Sequence, residues 1–199
     1  MYCVIPAAGR SSRMGAWKPM LPWNATTVCG AVVDTALSAG LKAIVVAGYR
    51  ADELIAEFAG RPEVVVVVNP DWELGMLGSV RTGFGRIGEP VAGFFVAPAD
   101  MPRLPAAAFG LIAAELRDRA ESRAIFAARS GRLGHPVWIP AAFMPDIASL
   151  DTGSRLRDYL LRRPWASVEV DDEGIFVDID TPEAYAALRD ATERGADPF

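Results

Sequence analysis

Three cations, Arg10, Arg13 and Lys18, fall within one short stretch near the start of the chain, Ile5–Pro22, which reads IPAAGRSSRMGAWKPMLP. The same stretch carries Gly9, Gly15, Ser11 and Ser12. No acidic residue precedes Asp34, although the chain as a whole has a formal net charge of −5. Glycines let a backbone turn through positive φ and come close to a ligand, so that consecutive N–H groups can point at anionic oxygens while nearby cations neutralise them. A Gly/Ser-rich loop after a first strand is also the composition of a plain tight turn. The local positive charge on an acidic protein favours an anion cradle, and the clustering of three cations suits a polyphosphate. The spacing is not a Walker A loop, because Lys18 is followed by Pro19 and not by Ser or Thr opening a helix.

Carboxylates at two distant places could meet whatever that loop holds. Asp100 follows an apolar run in Val96-Ala97-Pro98-Ala99-Asp100-Met101-Pro102, where the prolines stiffen the turn. Polyphosphate chemistry needs a hard divalent cation, and Mg²⁺ takes one or two carboxylates together with phosphate oxygens and water. In Phe176-Val177-Asp178-Ile179-Asp180, alternation along an expected strand puts Asp178 and Asp180 on one face. Two such carboxylates repel unless a cation joins them. Thr181-Pro182-Glu183 then starts a helix. Between these lies Asn69–Val80 (NPDWELGMLGSV), in which Gly75, Gly78 and Ser79 are expected at the mouth of a sheet. Ser79 is equally suited to cap its own helix. The single histidine, His135, stands in Gly-His-Pro. Leu150-Asp151-Thr152-Gly153-Ser154-Arg155 precedes an amphipathic helix bearing Leu156, Tyr159, Leu160 and Leu161, with Asp151 or Thr152 as the expected cap.

The elements that must position these groups alternate along the chain. Tyr2–Ile5, Ala43–Ala47, Val64–Val68 and Ala92–Val96 read as buried strands, the third of them covered on both faces. Helices are expected after Thr26 or Thr27 up to Gly40, over Asp52–Phe58, over Ser79–Ile87 and over Pro105–Ala120. This βαβαβα order predicts an α/β fold: a three-layer, Rossmann-like sandwich with a mostly parallel sheet and ligands beyond the carboxyl ends of the strands. After Arg129 the pattern changes to a hairpin, Ala124–Ala128 and His135–Pro140, with helices following it. Gly83-Phe84-Gly85-Arg86-Ile87-Gly88 satisfies the dinucleotide fingerprint, but it closes a helix where the fingerprint must open one. That excludes it as a nicotinamide site.

Composition bounds the rest. A chain of 199 residues with 51% hydrophobic content can bury one large core. Cys3 and Cys29 lack metal-ligand spacing and read as reduced core residues, which together with the lack of a signal-like leader suggests a cytoplasmic protein. No apolar run reaches membrane-spanning length, and the negative charge speaks against a nucleic-acid surface.

The spacing Ala7, Ala8, Gly9, Ser11, Arg13, Met14, Gly15, Lys18 resembles the signature of the molybdenum cofactor nucleotidyltransferases and their relatives. Five motifs match in order, from the first strand to Tyr185. The resemblance implies a nucleotide-diphospho-sugar transferase type of fold, forming a single nucleotidyltransferase domain over 1–194 with a loose tail at 195–199. It implies catalytic roles for Arg13, Lys18 and Asp100, and nucleotide contacts at Ala7, Ala8, Gly9, Arg10, Ser11, Arg13, Lys18, Gly78 and Ser79. It also implies Mg²⁺ on Asp100 and Asp180, with Asp178 as an alternative or second ligand, and acceptor contacts at His135, Asp151 and Arg155. The pair Ala7-Ala8 is similar to that of cytidine-using members, whereas guanine-using relatives carry glycine at the second place. Expected substrates are therefore CTP and the phosphate of a molybdopterin cofactor, with a molybdoenzyme as a further partner. Leu150 and Ser154 depart from the related Gly-Asp-x-Gly-Ala-Arg pattern. That departure leaves open a sugar or polyol phosphate acceptor, and outside catalysis a cofactor-binding chaperone.

Overall fold

Residues along the central strands alternate between two cores, and that alternation sets the architecture. In β1 (Tyr2–Pro6), Cys3 and Ile5 enter one core while Val4 enters the other. In β4 (Lys42–Ala47), Ala43, Val45 and Ala47 face the first core, and Ile44 and Val46 the second. Side chains that point in turn to opposite faces, all of them apolar, require a sheet covered on both sides. The computed structural model of the chain describes residues 1–12, 14–117 and 122–193. It contains such a sheet, with strand order β5-β4-β1-β6-β8-β7-β9. The remaining strands are β5 (Val64–Val68), β6 (Gly93–Val96), β7 (Ala124–Arg129), β8 (Arg132–Pro140) and β9 (Trp165–Glu169). Only β8 runs antiparallel to its neighbours. Two short strands, β2 (Pro22–Trp23) and β3 (Thr26–Thr27), pair with each other apart from this sheet.

Helices fill both outer layers. On one face lie α1 (Val28–Ser38), α2 (Ala51–Glu57) and α4 (Ala106–Arg117); on the other lie α3 (Met76–Gly85), α5 (Met144–Ser149) and α6 (Leu156–Leu161). The last helix, α7 (Pro182–Glu193), packs Leu188 into a third, smaller cluster with Met14, Trp23, Val28 and Ile179. The expected cap of α1 is present: Gly30 N–H donates to Thr27 Oγ1 at 3.0 Å. Past its end, Gly40 takes φ +76°, the left-handed conformation that glycine adopts without a Cβ penalty. None of the described helices is long and apolar enough to cross a membrane.

Two expectations about elements are corrected. β5 is an edge strand covered only in part: Val64 and Val66 pack on one core and Val67 against the other, while Val65 and Val68 are exposed. Residues 177–180 form no strand; a 3₁₀ turn over Glu173–Phe176 leads into an extended segment outside the sheet. The hairpin of β7 and β8 is present, and it is continuous with the sheet, since β8 pairs with β6. The expected end of α4 at Ala120 and the tail at 195–199 lie outside the described residues.

Gly83, part of the discounted fingerprint, has a packing role. A Cβ there would stand 2.4 Å from Val4 Cγ1 and 3.0 Å from Val46 Cγ2, so α3 sits directly on β1 and β4. Gly83→Ala gains about 1 kcal/mol of helix propensity, but overpacking a rigid core costs about 1–3 kcal/mol. The net effect expected is a loss of roughly 1 kcal/mol, read as a lowered midpoint in urea unfolding. An unchanged or raised midpoint would show that α3 can ride outward freely.

Candidate active site

Parallel strands bring their carboxyl ends to one side, and three segments that leave β1, β5 and β6 there, together with Asp180 from the segment before α7, enclose a cavity of about 320 Å³. From β1 come Ala7, Ala8, Gly9, Ser11, Ser12 and Lys18. Beyond β5 come Trp72, Gly75, Met76 and Ser79, and beyond β6 come Pro98, Ala99 and Asp100. Chain connections diverge between β1 and β6, so the cavity lies at the topological switch point, where open α/β sheets bind ligands.

The loop after β1 is held in shape from three directions. Tyr49 N–H donates to the Ala8 carbonyl at 3.0 Å, and the Trp17 indole N–H to the Gly9 carbonyl at 3.0 Å. The backbone N–H of Lys18 donates to Ser11 Oγ at 3.1 Å. Ser11 and Gly15 both take positive φ, 55° and 65°, which folds the loop back towards the sheet. Arg13, expected here as a catalytic and nucleotide-binding residue, lies outside the described residues.

The fold of the loop delivers Lys18 inward. It is buried, and its Nζ donates to Asp180 Oδ1 at 2.6 Å and to Asp100 Oδ2 at 3.3 Å. Asp100 sits in the stiff turn after β6; its carbonyl accepts the N–H of Ile179 at 2.9 Å, which pins the segment carrying Asp178 and Asp180 beside it. Burial pushes the Asp100 carboxyl above the ordinary aspartate range. Lys18 opposes that shift, and the charge of Asp178 adds to it. So Lys18 of the first loop, Asp100 and Asp180 converge on the cavity, with Asp178 beside them, although Asp178 is exposed and does not line the cavity. Among the described residues no three Asp, Glu, His or Cys side chains close into a ready-made metal cage. Two carboxylates opening on a cavity are nonetheless the donor set that a hard divalent cation takes when phosphate and water complete its shell.

Other expected residues separate. Ser79 lies inside α3 and does not cap it; it is buried, accepts a hydrogen bond from Asn69 Nδ2 at 3.2 Å, and lines the cavity. Gly78 does not line it. Arg10 is turned away from the cavity and lines a second pocket on the outer side of the loop. His135 sits past the β6 end of β8 and does not reach the cavity lining; its Nδ1 is buried without a hydrogen-bond partner, and desolvation lowers the ring pKa to about 4. Asp151 and Arg155 are exposed and stand apart from the cavity. The expected cap at Asp151 or Thr152 is also corrected. α6 starts later, with Arg155 at its cap position and no side-chain cap bond, while the Asp151 carbonyl accepts Ser154 N–H at 2.9 Å.

Several site residues escaped the sequence reading. Trp72 crosses the cavity wall because Gly48 has no side chain; a Cβ there would lie 2.5 Å from Trp72 Cβ and 2.8 Å from Ala8 Cβ. Tyr49 bridges Trp72 and Trp17, with ring centroids 5.8 and 6.1 Å apart. The signal available was position: Gly48-Tyr49-Arg50 follows β4 directly, at the same end of the sheet as the loop.

The sequence model of the MobA-like NTP transferase domain matches residues 3–168. The chain belongs to that family. As a MobA-like NTP transferase it is a nucleotidyltransferase. Over 188 residues it is 32% identical to the molybdenum cofactor cytidylyltransferase of Escherichia coli K12, covering 94% of this chain and 95% of that one. It is 34% identical over 116 residues to the molybdenum cofactor guanylyltransferase of Xanthomonas euvesicatoria, covering 58% and 55% of the two chains. A Mycobacterium tuberculosis H37Rv protein crystallised in complex with manganese superposes with a TM-score of 0.78 at 26% identity, over 96% of this chain and 98% of that one.

In this MobA-like transferase the Lys18 bridge makes stability depend on pH in a definite sense. A carboxyl whose folded pKa exceeds its unfolded value adds stability below the unfolded value and loses it as pH rises through the folded one. Lys18→Ala removes the group that holds the Asp100 shift down, so its cost is largest near neutral pH and shrinks as pH falls through the carboxylate range. Breaking a fully buried pair costs about 3–5 kcal/mol. Here both carboxylates are about one-third exposed, so about 1–3 kcal/mol is expected at pH 7. Unfolding midpoints of both proteins across pH 4–8 check this, and a pH-independent difference would remove charge from the explanation.

Proposed function

We propose that this enzyme transfers the nucleoside monophosphate of CTP to the phosphate of a molybdopterin-type cofactor, releasing pyrophosphate. An oxygen of the acceptor phosphate attacks the α-phosphorus, a new P–O bond forms, and the bond between the α-phosphorus and the bridging oxygen to the β-phosphorus breaks. An acceptor phosphate monoester is already ionised near neutral pH, so no side chain has to generate the nucleophile. What remains is to bring two anions into line and stabilise the charge that develops on the departing group.

Each residue of the cavity has a part in that task. The amides of the loop from Ala7 to Ser12 receive phosphate oxygens, and Lys18 supplies positive charge beside the α-phosphate. Arg13 is assigned to the triphosphate on the strength of its place in the motif. Asp100 and Asp180 would hold Mg²⁺, with Asp178 as an alternative or second ligand; when bound, the ion neutralises charge on the α-phosphate and draws the two reactants together. Trp72 and Met76 offer apolar surface to the base, and Ser79 a hydroxyl beside it. His135, Asp151 and Arg155 are assigned to the acceptor side, and a molybdoenzyme is the natural recipient of the product.

The observation that carries this reading is the Lys18 ammonium set between Asp100 and Asp180 on the wall of a cavity built from a glycine loop. The near full-length likeness to a cytidylyltransferase supports the cytidine choice, as does Ala8, whose methyl group lines the cavity. The guanylyltransferase likeness covers little more than half of either chain.

Pyrophosphate release measured with CTP, GTP and ATP against molybdopterin cofactor tests the assignment. CTP should be preferred over GTP by at least about tenfold, and Ala8→Gly should narrow that preference by opening room for a purine. Lys18→Ala should lower kcat by about 10²-fold or more. GTP preferred by the parent protein would overturn the cytidine assignment, and near-normal turnover by Lys18→Ala would overturn the role given to the ammonium.

A further inference from the structure

Besides Lys18, the chain buries the side chains of Asn69, just past β5, and Ser79, in α3. The two are bonded to each other, Asn69 Nδ2 donating to Ser79 Oγ at 3.2 Å, and of the pair only Ser79 lines the cavity. Which end of the Asn69 amide faces which neighbour is fixed by the backbone. The N–H of Asp71 can only donate, and it lies 3.1 Å from Oδ1, so that atom must be the carbonyl oxygen. The amino end is left for Ser79, and the Ser79 oxygen therefore has to accept.

The Ser79 proton then needs an acceptor of its own. A serine or threonine inside a helix can return its O–H to the carbonyl four residues back, and Thr82 of the same helix does so with Gly78 at 3.0 Å. Ser79 makes no such bond to Gly75; among the described residues its hydroxyl has no partner other than Asn69. A buried O–H without an acceptor is costly, more so than an oxygen with one idle lone pair. The direction left to it is the cavity, whose lining it shares with Trp72, Gly75 and Met76.

We propose that Asn69 is a positioning residue that holds the Ser79 hydroxyl as a hydrogen-bond donor to an acceptor atom of the bound nucleoside, on the base or at the ribose 2′ position. This rests on the nucleotidyl-transfer reading above and gives its nucleoside contact a direction. Cytosine suits such a donor, because its ring nitrogen and carbonyl oxygen are adjacent acceptors. Guanine presents a ring N–H and an amino group beside its carbonyl, and neither of those can receive the serine proton.

Calorimetric titration with Mg²⁺ and CTP, with no acceptor present, reads the contact directly, and thermal midpoints show that each variant is folded. Ser79→Ala is expected to weaken CTP binding about five- to tenfold. Asn69→Asp keeps the bond to the Asp71 N–H but turns the other end of the side chain into an acceptor. Ser79 then donates inwards, and binding falls by a similar factor. Since Asn69 acts through Ser79, Asn69→Asp should cost less than about twofold once Ser79→Ala is in place. An equal loss in both backgrounds would mean charge repulsion or distortion and overturn the proposal. Asn69→Ala buries no charge and gives a second cycle should the first double variant unfold. It is expected to cost about two- to threefold in the parent and nothing in the Ser79→Ala background, and additive losses overturn the proposal here too. Titration of Ser79→Ala with 2′-deoxy-CTP separates the two acceptors: an unchanged loss places the acceptor on the base, a vanished one at the 2′ oxygen, and either supports the donor. The same titrations with GTP keep the test apart from the cytidine choice. Binding by Ser79→Ala within twofold of a parent that releases pyrophosphate overturns the proposal and leaves the transfer reading intact. Serine-dependent nucleotide binding without pyrophosphate release from any acceptor would sink the transfer reading and leave this contact standing.

Discussion

The structure depends most on one shared ammonium group. Lys18 comes from the first loop, Asp100 from the middle of the chain and Asp180 from near its end, and Nζ of the first bonds to both carboxylates. Desolvation makes each of these charges costly by itself. Held together they compensate one another, so the interaction that makes the buried ammonium tolerable also fixes the positions of the groups that face the cavity. The backbone bond from Ile179 to Asp100 adds a second link between the same two segments, one that does not depend on either side chain. Binding chemistry and tertiary closure therefore rest on the same few atoms.

Around that bridge the sheet acts as a platform. Its central strands are apolar on both faces, and fully buried Phe94, Phe95, Phe109 and Phe126 fill the layers on either side. A platform packed this densely has low compressibility. It holds the strand ends, and so the loops, in fixed relation, while variation in the loops sets what is bound. The loop after β1 shows how much a few residues can do on such a base: two pockets that share Ser11 and Ser12 carry different charges, one lined by Lys18, Asp100 and Asp180 and the other by Arg10 and Arg50.

Most of the fold and the centre of the site were legible in the sequence, for physical reasons. Strands buried on both faces leave apolar β-branched runs, as in Ala43–Ala47, and glycine marks helix ends, as at Gly40. Lys18 stood out as a cation in a glycine loop, Asp100 as a carboxylate in a stiff turn after an apolar run, and Asp180 through its spacing from Asp178 and the family resemblance. What stayed hidden depends on neighbours distant in sequence. Val64–Val68 reads as buried because nothing in a run of valines reveals that it lies at a sheet edge. The segment 177–180 alternates like a strand but is held by a single backbone bond to Asp100 and joins no ladder. Trp17, Tyr49 and Trp72 meet only because three separate strand ends lie side by side, and no local pattern records that. Arg10 reads as part of the loop after the first strand, and it is, but which side of the loop it faces depends on Tyr49.

The span of the Lys18–Asp180 contact, 162 residues, has a consequence for how the protein comes into being. A ribosome that has passed β6 and the turn after it has made Lys18 and Asp100 but not the residue that completes their arrangement. Closing so long a loop is slow compared with forming the local helices. The emerging chain therefore gains its sheet well before it gains competence, and a product cut short before 180 would carry most of the scaffold with its polar centre unfinished. Messages truncated late should yield proteins that are largely ordered yet inert, in which the lysine and its first aspartate wait for a partner that never arrives.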